Sequence, residues 1–239
     1  MTMIKLNKDV DLSDFTLIIP SVSVGNVPQL TIDLLISNYK FEKIGLIWHE
    51  SVIPLVAPDP FDEKSDDICT ACELYANRSL KIVTLQNRTS FHYKLLSVFI
   101  QDLKNDIIKH KFNRVVCLAS AFDHELHKID KGKLFYIDSL GSDSVLEQIG
   151  FQPQQPVNDK YIVQGGGYCT QLYEALRNRT RCTVLIKYVA EGNNTADSIS
   201  MLALLSQYIP SLKQLPSGNI EIPHSWSSVF GPPPPTGMY

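Results

Sequence analysis

Four short, nearly uninterrupted apolar runs constrain the fold of this chain more than any other feature. They occupy residues 17–19, 44–47, 115–118 and 184–186. A strand with one face in solvent alternates apolar and polar side chains, whereas a strand covered on both faces is apolar throughout. The runs therefore predict strands in the buried centre of a sheet.

Helical periodicity alternates with these runs. In residues 91–109, Phe91, Leu95, Phe99 and Leu103 recur at helical spacing. This alternation predicts the α/β class, as a three-layer α/β/α sandwich with a mostly parallel central sheet. We predict strands at 15–24, 43–49, 80–86, 114–121, 134–137 and 181–189, and helices at 28–38, 91–109, 168–177 and 195–208.

Two helix starts carry recognisable caps. Ser144 and Glu147 fit a capping box for a short helix, and Asn194 fits the N-cap of the helix that follows it. The acidic, Pro-containing segment 56–72 and the segment 152–156 are predicted to be surface loops.

The C-terminal part separates into a domain end and a tail. We predict a single α/β domain over residues 1–231 and a Pro-rich, extended tail over residues 232–239, because four consecutive prolines exclude helix and central strand. Trp226, Phe230, Ile222 and Pro223 form an apolar patch. We expect this patch to pin the last segment onto the domain, and the alternative is a docking patch for a partner.

The composition argues against several classes of function. The net charge of −3 gives no sign of the basic surface that nucleic-acid-binding domains carry. No stretch approaches the roughly 20 apolar residues of a membrane span, and charges interrupt the first residues before a signal-peptide core can form. We therefore expect an intracellular protein whose five cysteines are reduced.

Two patterns resemble metal sites without completing one. Cys69 and Cys72 form a lone CxxC pair, and no second pair of ligands follows at suitable spacing. His124 and His127 are three residues apart, whereas the zinc-binding helix motif requires four. We predict no metal site.

Two segments offer weak signs of small-molecule chemistry. Gly165, Gly166 and Gly167 precede a helix, where exposed amides can bind an anion. A tight turn that packs the helix against the sheet is the preferred interpretation. Asp143 lies at a turn and could act as a general acid, although the cap at Ser144 explains the local polarity. Since no nucleophile elbow is present, we predict no catalytic residue and no cofactor.

The amino-acid sequence of one segment is more informative about function. Residues 20–30 read Pro-Ser-Val-Ser-Val-Gly-Asn-Val-Pro-Gln-Leu and resemble the opening of the proteasome assembly chaperone 2 family. The resemblance returns at 187–194 and 226–231, and the triple glycine also matches. The positions that carry it are Val24, Gly25, Asn26, Gly165, Gly166, Gly167, Glu191 and Gly192.

The resemblance implies protein binding without catalysis. Such chaperones form a heterodimer with proteasome assembly chaperone 1. The pair sits on the outer face of the ring of proteasome α subunits, promotes ring formation and deters off-pathway dimerisation of rings. The implied location is the cytoplasm and also the nucleus.

The end of the chain departs from a related pattern. Several proteins that bind the α ring end in a hydrophobic residue, Tyr and any residue, and their terminal carboxylate reaches a pocket lysine. This chain ends in Gly237, Met238 and Tyr239, so that the tyrosine is last. These three residues are the expected contact with the α ring, and the alternative is that the partner chaperone carries the docking motif.

Two other functions remain open from the sequence. One is a small-molecule enzyme of the nucleosidase or phosphorylase type, which would use the Gly165–Gly167 turn together with Asp143. The other is a generic interaction domain whose Pro-rich tail binds aromatic grooves.

Overall fold

Strands and helices alternate along the chain in the computed structural model, which describes residues 2–7, 10–126, 132–212 and 220–228. The strands are β1 (Ile4–Leu6), β2 (Thr16–Pro20), β3 (Glu42–Ile47), β4 (Val56–Pro58), β5 (Ile68–Thr70), β6 (Cys72–Asn77), β7 (Ile82–Asn87), β8 (Arg114–Phe122), β9 (Leu134–Asp138), β10 (Gln152–Pro153) and β11 (Arg181–Val189). The helices are α1 (Val27–Tyr39), α2 (Leu96–Lys109), α3 (Ser144–Gln148), α4 (Cys169–Leu176) and α5 (Thr195–Tyr208).

Nine of these strands form one mixed sheet within the described residues. Their order is β1-β3-β6-β7-β2-β8-β11-β9-β10. The central strands β7, β2, β8 and β11 are parallel, whereas β1, β3 and β6 on one flank and β9 on the other pair in the antiparallel sense. All six predicted strands are present, and the parallel part of the sheet is its centre.

Helices cover both faces of the sheet. Leu17, Val115 and Val184 belong to one core with Phe99 of α2 and Leu172 of α4. The next residue of each strand, Ile18, Val116 and Leu185, belongs to the other core with α1 and α5. Since successive side chains of a strand point to opposite faces, a strand between two helical layers must be apolar throughout. The three-layer α/β/α prediction is confirmed.

The prediction for segment 56–72 is wrong in part. It contains β4 and β5, which form an antiparallel hairpin, and it ends where β6 begins. The acidic residues are confined to the loop between the two strands. Each strand has only three residues, which is too few for its periodicity to stand out. Gln152 and Pro153 likewise form the short edge strand β10.

Both predicted caps differ in detail. Asp143, not Ser144, is the N-cap of α3, because the amides of Val145 and Leu146 donate to its carboxylate. The side chain of Asn194 stands at the N-cap of α5 without capping it, since its amide donates to the carbonyl oxygen of Gly192.

None of the described helices has the length and apolarity needed to cross a bilayer.

Candidate functional site

The segments that carry the family resemblance meet at one edge of the sheet. The turn Val24–Asn26 follows β2, and Glu191 and Gly192 follow β11. The turn at Gly165–Gly167 lies against the first of these, since the amide of Val24 donates to the carbonyl oxygen of Gly165 at 3.1 Å. This is the carboxyl edge of parallel strands, where open α/β sheets commonly bind ligands.

Position 25 requires glycine both because of its backbone conformation and because the Asn194 side chain lies close to it. Its φ is 65°, in the left-handed region, and a Cβ there would lie 2.2 Å from the side-chain nitrogen of Asn194. Asn26 is also left-handed, with a φ of 53°, and Pro28 stands in the first turn of α1. The turn therefore brings the start of α1 against the start of α5.

The triple glycine forms a second close contact. Gly167 has a φ of 63°, and a Cβ on it would lie 2.1 Å from the carbonyl oxygen of Val22. A Cβ on Gly165 would lie 2.3 Å from the side chain of Val24. These contacts are what the tight-turn interpretation expects, because they let the chain before α4 pack directly on the chain after β2.

Three hydroxyl groups hold these turns together. The Ser21 hydroxyl donates to the carbonyl oxygen of Gly166 at 2.7 Å and accepts from the amide of Tyr168 at 2.9 Å. Ser23 and Ser120 join at 2.9 Å between their oxygens. Both serines at the end of β2 thus bond to other parts of the chain. Neither is arranged as a nucleophile beside a base.

Tyr168 completes this interior. Its hydroxyl donates to the carbonyl oxygen of Pro20 at 2.7 Å. Burial raises the pKa of Tyr168 well above its ordinary value, with a smaller contribution from nearby thiols, of which Cys117 is the largest. The phenol therefore stays protonated and serves as a donor.

The remaining positions lie at the surface. Glu191 and Gly192 are exposed, and Gly192 has a φ of 137° with no heavy atom within 4 Å of an added Cβ. Beside them, Lys187 pairs with Asp197 at 3.0 Å and so fastens β11 to α5.

The Asp143 side chain lies far from this edge. It bonds to Arg181 at 2.8 Å and accepts from the Tyr208 hydroxyl at 3.1 Å. Arg181 is the first residue of β11, whereas Ser120, near the glycine turn, pairs with Lys187 six residues later. At roughly 3.3 Å per residue the two places are about 20 Å apart. The hypothesis that Asp143 and the Gly165–Gly167 turn belong to one enzyme site is therefore wrong.

A serine, a histidine and an aspartate that sequence reasoning missed do lie together. The Ser51 hydroxyl is 2.7 Å from Nδ1 of His49, and Nε2 of His49 is 3.6 Å from a carboxylate oxygen of Asp102. Ser51 is 0% exposed, and its amide also donates to His49. A substrate cannot reach this hydroxyl, so the three groups close the loop after β3 instead.

The two cysteine and histidine patterns noted in the sequence lie in different parts of the structure. In the described part of the chain, no group of three or more His, Cys, Asp or Glu side chains could hold a metal ion. Cys69 and Cys72 are buried and unpaired, on β5 and β6. His124 is exposed in the turn Asp123–Glu125, and His127 lies outside the described residues.

A surface with exposed aromatic side chains lies on two joined loops. The amide of Ile53 donates to the carbonyl oxygen of Ser90, and that of His92 donates to Ser51. On these loops Trp48 is 77% exposed and Tyr93 is 76% exposed, with Ile53 half-exposed. We call Trp48, Ile53 and Tyr93, the exposed large apolar side chains on these joined loops, the aromatic patch. Exposed apolar groups of this size are typical of protein interfaces.

The C-terminal segment is clamped onto α1 and its neighbours. Asn38 and the backbone of Glu221 exchange two hydrogen bonds of 2.9 Å. Trp226 is buried, and its indole nitrogen donates to Asp33, which also pairs with Arg88 at 2.9 Å. The expected pinning role holds for Trp226 and for buried Pro223, but it is wrong for Ile222, whose side chain is 45% exposed. Phe230 and the tail residues Gly237, Met238 and Tyr239 lie outside the described residues.

Comparison with known proteins agrees with this architecture. A family model, described as PAC2 family, matches residues 17–213. The chain is 31% identical to Proteasome assembly chaperone 2 of Mus musculus, with 96% of each chain covered. It is 30% identical to the protein of the same name from Xenopus tropicalis, with 95% of each covered. PbaA of Pyrococcus furiosus, an archaeal homolog of proteasome-assembly chaperone, shares the fold with a TM-score of 0.67 and 16% identity, over 88% of this chain and 90% of that one. This chain belongs to the PAC2 family.

Proposed function

We propose that this protein is a proteasome assembly chaperone that acts by binding other proteins. The observation that carries the proposal is identity of about 30% over nearly the full length to relatives named Proteasome assembly chaperone 2. The carboxyl edge of the sheet supports it too, because the groups there are engaged with one another and not arranged around a substrate.

The first partner is proteasome assembly chaperone 1, with which this chain forms a heterodimer. The aromatic patch is the surface we assign to that contact. Tyr and Trp bury much area at low cost in side-chain entropy, and stable interfaces are rich in them. Burial of these side chains in the heterodimer favours a long-lived pair.

The second partner is the ring of proteasome α subunits, whose formation the heterodimer promotes and whose off-pathway dimerisation it deters. Residues 232–239 form the tail that reaches the ring, and Gly237, Met238 and Tyr239 make the contact. Four prolines favour an extended polyproline conformation, which holds a chain out by roughly 12 Å and loses little entropy on binding. The protein works in the cytoplasm and the nucleus and carries out no chemical reaction.

Co-expression tests this function. The chain is produced with and without assembly chaperone 1, and each sample is then mixed with α subunits. We expect a one-to-one pair on size-exclusion chromatography and more complete rings in its presence. A monomer that ignores the chaperone and leaves the ring yield unchanged would contradict the proposal.

A further inference from the structure

The hairpin of β4 and β5 presents an apolar outer face. Pro58 pairs with Ile68 and Val56 pairs with Thr70, so these side chains share one face, while Cys69 on the other face is buried. Val56 is 70% exposed and Ile68 is 56% exposed. The hairpin is a separate two-stranded sheet, and no further strand among the described residues pairs with it.

The loop between these strands is strongly acidic. Residues 59–67 contain five acidic side chains and one lysine, which is a formal charge of −4. The whole chain carries −3, so the negative charge of the protein is concentrated here. An apolar face beside such a loop is complementary to an apolar spot with lysines and arginines around it.

The loop is held in place before any partner arrives. The ring of Phe61 packs edge-on against Tyr75 at 5.8 Å between centroids, and the Arg88 guanidinium lies 5.5 Å from the Phe61 ring centre. The amide of Phe61 also donates to the carboxylate of Asp59 at 2.8 Å. A surface fixed in this way loses little conformational entropy on binding.

A groove of about 640 Å³ runs beside the hairpin. Phe41, Phe61 and Tyr75 line it together with the acidic residues Asp59, Asp67 and Glu221. Lys43, the one basic residue among the described residues of the lining, already pairs with buried Glu73. Aromatic rings and carboxylates together suit the apolar stem and charged head of a lysine or arginine.

The clamped C-terminal segment adjoins the same loop. The amide of Ser225 donates to the carbonyl oxygen of Pro60 at 3.1 Å, and the His224 ring lies 3.9 Å from the Glu63 carboxylate. The described part of the chain therefore ends, at residue 228, close to the acidic hairpin and a few residues before the tail begins. A protein that binds the tail lies within reach of this surface.

We propose that the outer face of the β4–β5 hairpin, with its acidic loop, docks on the proteasome α subunit that receives the tail. The docking surface of that subunit presents an apolar spot with lysine and arginine side chains around it. A second copy of this chain is disfavoured, because a two-fold contact would set one acidic loop against the other. This inference rests on the proposed function and assigns its second partner to a surface.

The apolar half of the proposal is tested by the double variant Val56→Ser with Ile68→Ser, purified with assembly chaperone 1. We expect α-subunit binding to weaken roughly 10- to 100-fold, because two side chains lose their burial in the complex. Leu140→Ser is the matched control, since Leu140 is 71% exposed at a distant turn and should change nothing. Both variants alter exposed side chains, so their melting temperatures should stay close to that of the parent.

The charged half is tested by Asp62→Asn, Glu63→Gln and Asp66→Asn together, which keep the size of each side chain. Affinity of the parent pair for α subunits should fall as NaCl rises from 50 to 300 mM, as expected for charges at the rim of an interface. The triple variant should bind more weakly at low salt and lose most of this salt dependence.

The outcomes separate this inference from the function on which it rests. If the parent pair does not bind α subunits, the proposed function is wrong. If the parent pair binds and both hairpin variants bind equally well, the hairpin assignment is overturned while the function stands. The assignment would also be overturned if the hairpin variants no longer bind assembly chaperone 1 but keep their affinity for α subunits.

Discussion

Replacement of Gly167 by alanine tests whether the triple glycine serves packing. The added Cβ would lie 2.1 Å from the carbonyl oxygen of Val22, which is backbone and cannot rotate away. The φ of 63° also strains any residue with a Cβ. We expect about 1 kcal/mol from the backbone conformation and about 1–3 kcal/mol from the overlap, so the free energy of unfolding should fall by about 2–4 kcal/mol.

For a chain of this length, that loss lowers the melting temperature by roughly 5–15 °C. Gly141→Ala is the matched control, because Gly141 has a φ of 94° and no heavy atom within 4 Å of an added Cβ. The control adds the strain of a Cβ in a left-handed backbone but no steric overlap, so it should lower the melting temperature by only about 2–4 °C. Thermal unfolding followed by circular dichroism measures both.

Equal losses in the two variants would refute the packing argument. The competing idea, an anion site at the turn, has its own signature in the parent protein. A rise in melting temperature on adding inorganic phosphate, absent in Gly167→Ala, would favour that idea. We expect no such rise, and binding of folded Gly167→Ala to assembly chaperone 1 should remain normal at low temperature.

Three further outcomes are expected. Trp48→Ser with Tyr93→Ser should leave the melting temperature nearly unchanged and weaken pairing with assembly chaperone 1 at least 10-fold by surface plasmon resonance; unchanged pairing would contradict our assignment of the aromatic patch. Trp226→Ala should lower the free energy of unfolding by about 2–4 kcal/mol in denaturant titration. An unaltered unfolding midpoint would mean that Trp226 does not anchor the C-terminal segment. Burial raises the pKa of Cys169 and Cys182 to about 12, so the unfolded chain releases protons near pH 9 that the folded chain keeps. Stability should therefore fall as the pH rises from 9 towards 12, and a flat profile for the reduced protein would contradict this.

Much of the fold follows from short-range patterns. The centre of the sheet was predictable because strands covered on both faces must be apolar at every position, and α5 was predictable to its last residue from its periodicity. Strand β6 was not predicted, because the charged residue Glu73 interrupts its apolar sequence. That carboxylate is buried yet bonded to its sequence neighbours Thr70 and Tyr75, and it pairs with Lys43, which lies 30 residues earlier and which only the fold brings to it.

The candidate surfaces were less accessible to sequence reasoning. Exposed apolar residues such as Trp48, Tyr93, Val56 and Ile68 look like core residues until the fold shows which face they occupy. The convergence of the Val24–Asn26 turn with the triple glycine likewise depends on a contact between segments about 140 residues apart along the chain. The acidic loop was visible in the sequence, but its place beside the C-terminal segment was not.

The central claim is that this protein assists proteasome assembly by binding, and native mass spectrometry tests it most directly. Proteasome α subunits are produced with assembly chaperone 1, either with or without this chain. The account predicts a complex that holds one copy of each chaperone on the α ring, and a higher ratio of single rings to ring dimers when this chain is present. The same ratio of single rings to ring dimers in both samples, with this chain found only as a free monomer, would contradict the claim.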